Sequence, residues 1–248
     1  MADISVVVVT GASGFVGAHI VRECLERVYH VNACVRNKDD SKNQFLLDMA
    51  KGICKGKLQL FSADLIKKGA YDDAVSNADA VIHAACAVDP AKLKEGSKEM
   101  MESSTEGVRN ILSSVNKFNV KHYVHTSAVA AIITPTPNEG MEDSLKGHTY
   151  TEEDWSAVTA PATIEEDPYL QKYYMIAKTE AEKIMWSETS GKPYTVSAIN
   201  PSMNFGPCLA KHHTKASPYI FRQALLGYKQ MNPTYSMVDV RDVALAHV

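Results

Sequence analysis

The sequence predicts a doubly wound parallel α/β sheet, and three observations carry that expectation. Short β-branched apolar runs alternate with stretches of helical period, the pattern of successive βαβ units. The first run, Ile4-Ser5-Val6-Val7-Val8-Val9, is almost continuously apolar, as a strand covered on both faces must be. A glycine-rich turn, Thr10 to Gly17, joins that run directly to the first helical pattern. Right-handed crossovers then wind such units into one sheet.

The elements follow in order. Val16, Ile20, Val21, Cys24, Leu25 and Val28 recur at helical spacing between Phe15 and Val28, and Val31 to Val35 is a second strand. Lys57 to Ser62 and Ala80 to His83 are strand-like, Ser104 to Val115 is helical, and His122 to Thr126 is a strand. From Thr134 to Pro168 the chain is rich in proline and acids around Tyr150 and Trp155, which reads as an irregular surface excursion. A helix runs from about Tyr169 to Glu188, and the strand Tyr194 to Ile199 is ended by Asn200-Pro201. The tail from Met237 to Val248 finishes inside a helical pattern with no cap or stop signal, so the chain reads as cut rather than complete. Residues 1–200 are therefore expected to form a dinucleotide-binding domain, with 201–248 beginning a second lobe.

Composition narrows the class. The 248 residues, 45% hydrophobic and 22% charged, suit one large domain or one domain plus a small lobe, and exclude collagen-like, disordered and disulfide-scaffold chains. Lys and Arg total 26 against 29 Asp and Glu, a net charge of -3 that draws the chain neither to nucleic acid nor to an anionic membrane. The five cysteines contain no Cys-x-x-Cys pair, and no apolar run is long enough to span a bilayer, so a cytoplasmic, reducing address is expected. Cys86 reads as a small core residue. His212-His213 lacks a spaced third ligand and reads as a solvated loop, and no metal is expected.

The glycine turn carries the first chemistry. Gly11, Gly14 and Gly17 lie three apart between a strand and a helix, so Gly11, Ser13, Gly14, Phe15, Val16 and Gly17 form a candidate dinucleotide cradle. Glycine permits the tight turn and the close approach of backbone to a pyrophosphate, while the helix N-terminus supplies free N–H groups. At the end of the second strand, where an acid would select NAD, stands Arg36, with Lys42 nearby. A guanidinium pairs well with a 2′-phosphate, which favours NADP. Asp39 and Asp40 follow a few residues late and read as solvated loop.

Tyr174 and Lys178 stand at i and i+4 on one helix face. A cation within several ångströms lowers a phenol that otherwise titrates near pH 10, so the pair makes a proton donor to a carbonyl oxygen. With Thr10 to Gly17, Val35-Arg36, Ala63-Asp64-Leu65, Val81 to Ala85, Glu153-Asp154-Trp155, Asn200-Pro201, Phe205-Gly206-Pro207 and Val238 to Ala244, these motifs run in order along nearly the whole chain. In this the chain resembles the extended short-chain dehydrogenases/reductases, and within them the dihydroflavonol 4-reductase, cinnamoyl-CoA reductase and fungal aldehyde reductase group.

The resemblance implies a Rossmann fold with a truncated C-terminal substrate lobe, and hydride transfer from NADPH to a small carbonyl substrate. It implies Tyr174 as general acid tuned by Lys178, which would also hold the nicotinamide ribose. Asp64 and Leu65 would meet the adenine, Ala84, Ala85 and Cys86 would line the cofactor's path, Ser127 would lie beside it, and Pro201, Ser202, Met203 and Asn204 would sit against the nicotinamide. A homodimer is among the assemblies such helices support. The chain departs from the family pattern at Thr126-Ser127-Ala128, where a second serine is usual. Three readings follow: a slow reductase, a reductase using another hydroxyl or a water, or an engineered or degenerate chain that binds NADP without turnover, as a regulator or scaffold. The stretch Ala130-Ala131-Ile132-Ile133 offers an apolar wall suited to small aldehydes or ketones. A sugar-nucleotide epimerase or hydroxysteroid dehydrogenase relative is the remaining alternative.

Overall fold

The computed structural model describes residues 5–86, 97–134, 149–160, 171–227 and 236–248. Six strands form one parallel sheet: β1 (Val6–Thr10), β2 (His30–Val35), β3 (Lys57–Ser62), β4 (Ala80–His83), β5 (His122–Thr126) and β6 (Thr195–Ile199). Their order is β3-β2-β1-β4-β5-β6, reversing direction of winding at β1, and every neighbouring pair is parallel. This is the doubly wound Rossmann arrangement, in which ligands bind where the winding reverses, at the carboxyl ends of the strands.

The apolar runs were continuous because both faces are covered. Val7 and Val9 of β1 pack with Ile82 of β4 and Val31 and Val35 of β2 beneath α1 (Phe15–Glu26) and α2 (Gln44–Ile53). Val8 and Val81 point the other way, beneath α3 (Asp72–Val75), α4 (Ser97–Lys117) and α5 (Gln171–Thr189). Ile111, Leu112 and Val115 of α4 and Met185 of α5 close that second layer, all fully buried. At roughly 1.5–3 kcal/mol for each large apolar side chain buried, these two layers are the main source of stability.

Three helices were not anticipated, the short α3 and two longer ones. Phe45, Leu46, Met49, Ala50 and Ile53 lay one face of α2 against β2 and β3, and α6 (Ser217–Leu225) follows a 3₁₀ turn at Lys211–Lys215. The tail also differs from a single helical pattern. Met237–Asp239 is a strand, β8, paired in parallel with β7 (Met203–Phe205), and only then does α7 (Val240–Ala246) begin. The missed start signal is Asp239, whose carboxylate accepts from the Arg241 amide as an N-cap, and the helix ends as the His247 amide returns to Ala244. Ala244 packs into the α1 layer, so residues 201–248 return to the first helix. The residues at 135–148 and 161–168 of the expected excursion, and Tyr169 at the expected helix start, lie outside the described residues, as does Ile4.

Candidate functional site

The carboxyl ends of β1, β4 and β5 converge on the turn between β1 and α1. Gly11 holds a left-handed φ of +64°, and a Cβ there would come within 2.8 Å of Ala85 Cα and 2.9 Å of Ala85 N. The glycine therefore lets the turn and the end of β4 lie in direct contact. Ala85 N–H donates to Thr10 Oγ1 at 3.1 Å, and the same hydroxyl shares a 2.9 Å hydrogen bond with buried His83 Nδ1. His83 is thus a structural tie between β1 and β4.

Gly14 is exposed and serves as N-cap of α1 without any side-chain cap, and no acid stands in the helix's first turn. The helix presents a positive end that no acid of its own first turn neutralises, which suits an anion. Gly17 fits against the Gly11 carbonyl, where a Cβ would collide with the Gly11 oxygen and reach 2.9 Å from its carbon. Neither neighbour is a flexible side chain, so Gly17→Ala is expected to cost about 1–3 kcal/mol through overpacking. A fall in the urea midpoint together with loss of NADPH binding checks it; an alanine variant as stable as the parent contradicts it. The cradle thus fits a dinucleotide on its own geometry.

Arg36 is exposed at the end of β2, where the sequence placed it, and no ion pair engages it among the described residues. Lys42 is less free than expected: its Nζ lies 3.0 Å from Asp40, whose carboxylate also accepts from the Lys42 amide and caps the 3₁₀ turn Ser41–Asn43. That amide bond, and then the Lys42 side chain, hold the Asp40 carboxyl below its ordinary range. Asp40 is therefore a cap rather than solvated loop, although so exposed an ion pair leaves Lys42 able to turn elsewhere. Asp64 is exposed after β3 and accepts from the Ile66 amide at 3.1 Å; Leu65 leans on Gly107 of α4.

The Tyr174–Lys178 pair is brought to the end of β5, but in an arrangement the sequence did not foresee. Lys178 is 6% exposed and its Nζ donates to the Thr126 carbonyl at 2.9 Å. Tyr174 packs near Met100 and Ala177, close enough to Cys86 for the thiol to raise its pKa. Burial, with that smaller contribution from Cys86, pushes the Tyr174 phenol above its ordinary value. The expected lowering by Lys178 is therefore overturned, because the ammonium is turned to a backbone carbonyl and burial dominates. Cys86 is exposed rather than a core residue.

Around Ala128 the hydroxyls divide between the two faces of the sheet. Ala128 is 7% exposed. Thr126 Oγ1 lies 2.8 Å from His247 Nε2, while His247 Nδ1 donates to the Val243 carbonyl at 2.7 Å. A neutral imidazole with Nδ1 protonated accepts at Nε2, so the Thr126 proton is committed to His247. Ser127 is 3% exposed and its hydroxyl has no partner among the described residues. Pro201 accepts from the Val129 amide at 3.0 Å, Ser202 is half-buried, Met203 opens β7, and Asn204 Oδ1 is buried without a partner among the described residues. Ile132 and Ile133 are half-buried, while Ala131 is fully buried and its carbonyl accepts from the Ser156 amide.

The His212-His213 pair departs from the solvated loop expected of it. His213 is 1% exposed, not solvated, and with His212 it contacts the glycine turn. Nothing local in Ala210-Lys211-His212-His213 signals this, since the partner lies some two hundred residues earlier. No group of three or more side chains able to hold a metal occurs among the described residues, and none of the described helices is long and apolar enough to cross a membrane.

Known proteins share this fold. Cinnamoyl-CoA reductase 1 of Petunia hybrida is 30% identical over 98% of this chain and 68% of its own length. Dihydroflavonol 4-reductase of Gerbera hybrida is 34% identical over 81% of this chain, which covers 52% of that protein. Gre2 from Candida albicans, solved in complex with NADPH, superposes with a TM-score of 0.75 at 28% identity, covering 99% of this chain and 73% of that one. The NAD dependent epimerase/dehydratase family matches residues 7–248, and with the six-stranded order and the glycine turn it establishes that the chain belongs to that family, among the extended short-chain dehydrogenases/reductases.

Proposed function

We propose that the chain binds NADPH along the carboxyl edge of the sheet and reduces the carbonyl group of a small, fairly apolar aldehyde or ketone. The observation that supports this reading is a path along the strand ends: the Gly11 turn abuts Ala85, Cys86 follows, and Cys86 lies within electrostatic reach of the Tyr174 phenol. In this reading Gly11, Ser13, Gly14, Phe15, Val16 and Gly17 take the pyrophosphate, and Arg36 with Lys42 the 2′-phosphate. Asp64 and Leu65 meet the adenine. Ala84, Ala85, Cys86 and Ser127 line the path, with Pro201 to Asn204 at its nicotinamide end.

The bound cofactor supplies the hydride to the carbonyl carbon. Tyr174 supplies the proton to the oxygen, and the product is an alcohol. A phenol held above its ordinary pKa keeps its proton at neutral pH, the state a general acid needs before transfer. Lys178, turned from the Thr126 carbonyl toward the cofactor ribose, would then favour the phenolate that transfer leaves behind.

A second reading, an NADP-binding protein with little turnover, is favoured by one observation. The Thr126 hydroxyl is spent on His247, so it does not replace the serine that Ala128 lacks. Loss of reduced-nicotinamide absorbance with a panel of aldehydes, ketones and diketones tests the first reading; cofactor binding without consumption favours the second. Ala128→Ser is expected to raise the rate, up to about 10²–10³-fold if a missing oxyanion donor is the limitation. An unchanged rate shows that the native chemistry does not need that hydroxyl.

A further inference from the structure

Ser13 offers one carbonyl oxygen, and two imidazoles converge on it. His212 Nε2 lies 2.8 Å and His213 Nε2 3.1 Å from that oxygen, both carried by the 3₁₀ turn Lys211–Lys215. A carbonyl only accepts, so both rings donate from Nε2 and both oxygen lone pairs are used. His213 Nδ1 is buried without a partner among the described residues, which leaves Ser13 as the ring's single hydrogen bond. Burial holds the His213 pKa down at about 4, so the ring stays neutral and keeps one donor to give. His19, one turn into α1, donates Nε2–H to the Pro207 carbonyl at 2.9 Å and anchors the same segment a second time.

The histidines also touch the other half of the cradle. His213 stands edge-on to Phe15 at 5.9 Å and to Phe45 at 5.4 Å, and His212 meets Phe45 at 5.6 Å. Phe45 stands in the first turn of α2, just after the stretch that carries Arg36 and Lys42. One dipeptide thus fixes the Ser13–Gly14 peptide plane and packs on the helix behind the basic stretch. The Gly14 N–H of that plane turns inward to the Gly11 carbonyl at 2.9 Å, so its orientation sets how α1 begins.

We infer that His212 and His213 are positioning residues for the dinucleotide, a two-donor clamp that orients the glycine turn and docks the basic stretch against it. The inference rests on the cofactor reading above. It assigns the pair to binding and not to chemistry, and it makes the 201–248 segment part of the cofactor site.

The test compares His212→Leu and His213→Leu with His212→Gln and His213→Gln in the full chain. Leucine keeps the apolar packing and removes the donor; glutamine restores an N–H. Each leucine variant is expected to weaken NADPH binding, read by calorimetric titration, by up to about tenfold, the worth of one net hydrogen bond. Glutamine recovers most of the loss. The kcat at saturating cofactor stays unchanged while the KM for NADPH rises. In the protein without cofactor, amide hydrogen exchange across residues 12–17 quickens in the leucine variants. If His213→Leu does not fold, His212→Leu at its half-buried position carries the same comparison. Leucine variants with parental NADPH affinity and parental exchange overturn the clamp. If the parent protein binds no NADPH, the cofactor reading is at fault, and exchange at residues 12–17 alone decides the clamp.

Discussion

Tyr174→Phe is expected to lower the rate of carbonyl reduction by about 10²–10⁴-fold, the contribution of a positioned general acid, while NADPH binding is retained. Phenylalanine keeps the ring that packs with Met100 and Ala177 and removes only the hydroxyl. Since burial already holds that phenol protonated, the variant loses a proton that the parent carries at every physiological pH. The rate in the parent is accordingly flat through neutrality and falls only at alkaline pH, whereas Lys178→Met, which removes the buried ammonium beside Thr126, lowers the rate and weakens the cofactor together. Steady-state kinetics beside a calorimetric titration separates these outcomes. A Tyr174→Phe protein with parental kcat contradicts the assignment.

Acid is expected to destabilise the protein through its buried histidines. His83, His125 and His213 are buried, and burial lowers all three: His83 to about 3, His213 to about 4, and His125 well below its ordinary value. His19 and His247 are shifted the same way by the same cause. Each folded pKa lies below the unfolded value near 6.5, so the unfolded chain binds more protons as pH falls. The stability these groups contribute is complete above pH 6.5 and is lost as pH drops toward about 4. Each histidine gives a slope of up to about 1.4 kcal/mol per pH unit, and three together about 4, against a typical total of 5–15 kcal/mol. Asp72, Asp79 and Asp239, held down mainly by hydrogen bonds to basic side chains and backbone amides despite some burial, stay ionised throughout that window.

His125 allows a specific check. Its ring stacks on His83 at 5.6 Å and on Tyr123 at 6.5 Å, and neither nitrogen has a hydrogen-bond partner among the described residues. His125→Phe keeps the stack and removes two unpaired polar atoms, so it is expected to raise the urea midpoint and flatten its fall between pH 7 and pH 5. A midpoint that rises on acidification, or a phenylalanine variant as steep as the parent, contradicts the account.

What could be read from residues alone was whatever depends on neighbours along the chain. The Val6 to Val9 run announced a strand buried on both faces, because each of its side chains has a covering layer, and the glycine spacing announced the turn. The apolar positions of α2 stood at helical spacing and were readable in the same way. The Tyr174–Lys178 spacing located both residues but not the direction of the phenol's shift, which depends on burial and on Cys86, nor the turning of Lys178 to the carbonyl of Thr126, fifty-two residues before it. Thr126 itself could not be assigned from Thr-Ser-Ala, since its hydroxyl answers to His247 on the opposite face. The His212-His213 pair was least legible of all, for its meaning lies in a carbonyl at Ser13 that only the folded chain brings near.

Hydride transfer to a carbonyl at this site leaves an isotopic signature in the product. Its most direct test is to incubate the parent protein with an aldehyde it turns over and NADPH carrying deuterium at both C4 positions, then to weigh the alcohol formed. An alcohol with one deuterium on the former carbonyl carbon is expected, formed by the parent and suppressed in Tyr174→Phe. NADPH bound but no labelled alcohol formed, across the full panel of aldehydes and ketones, contradicts it.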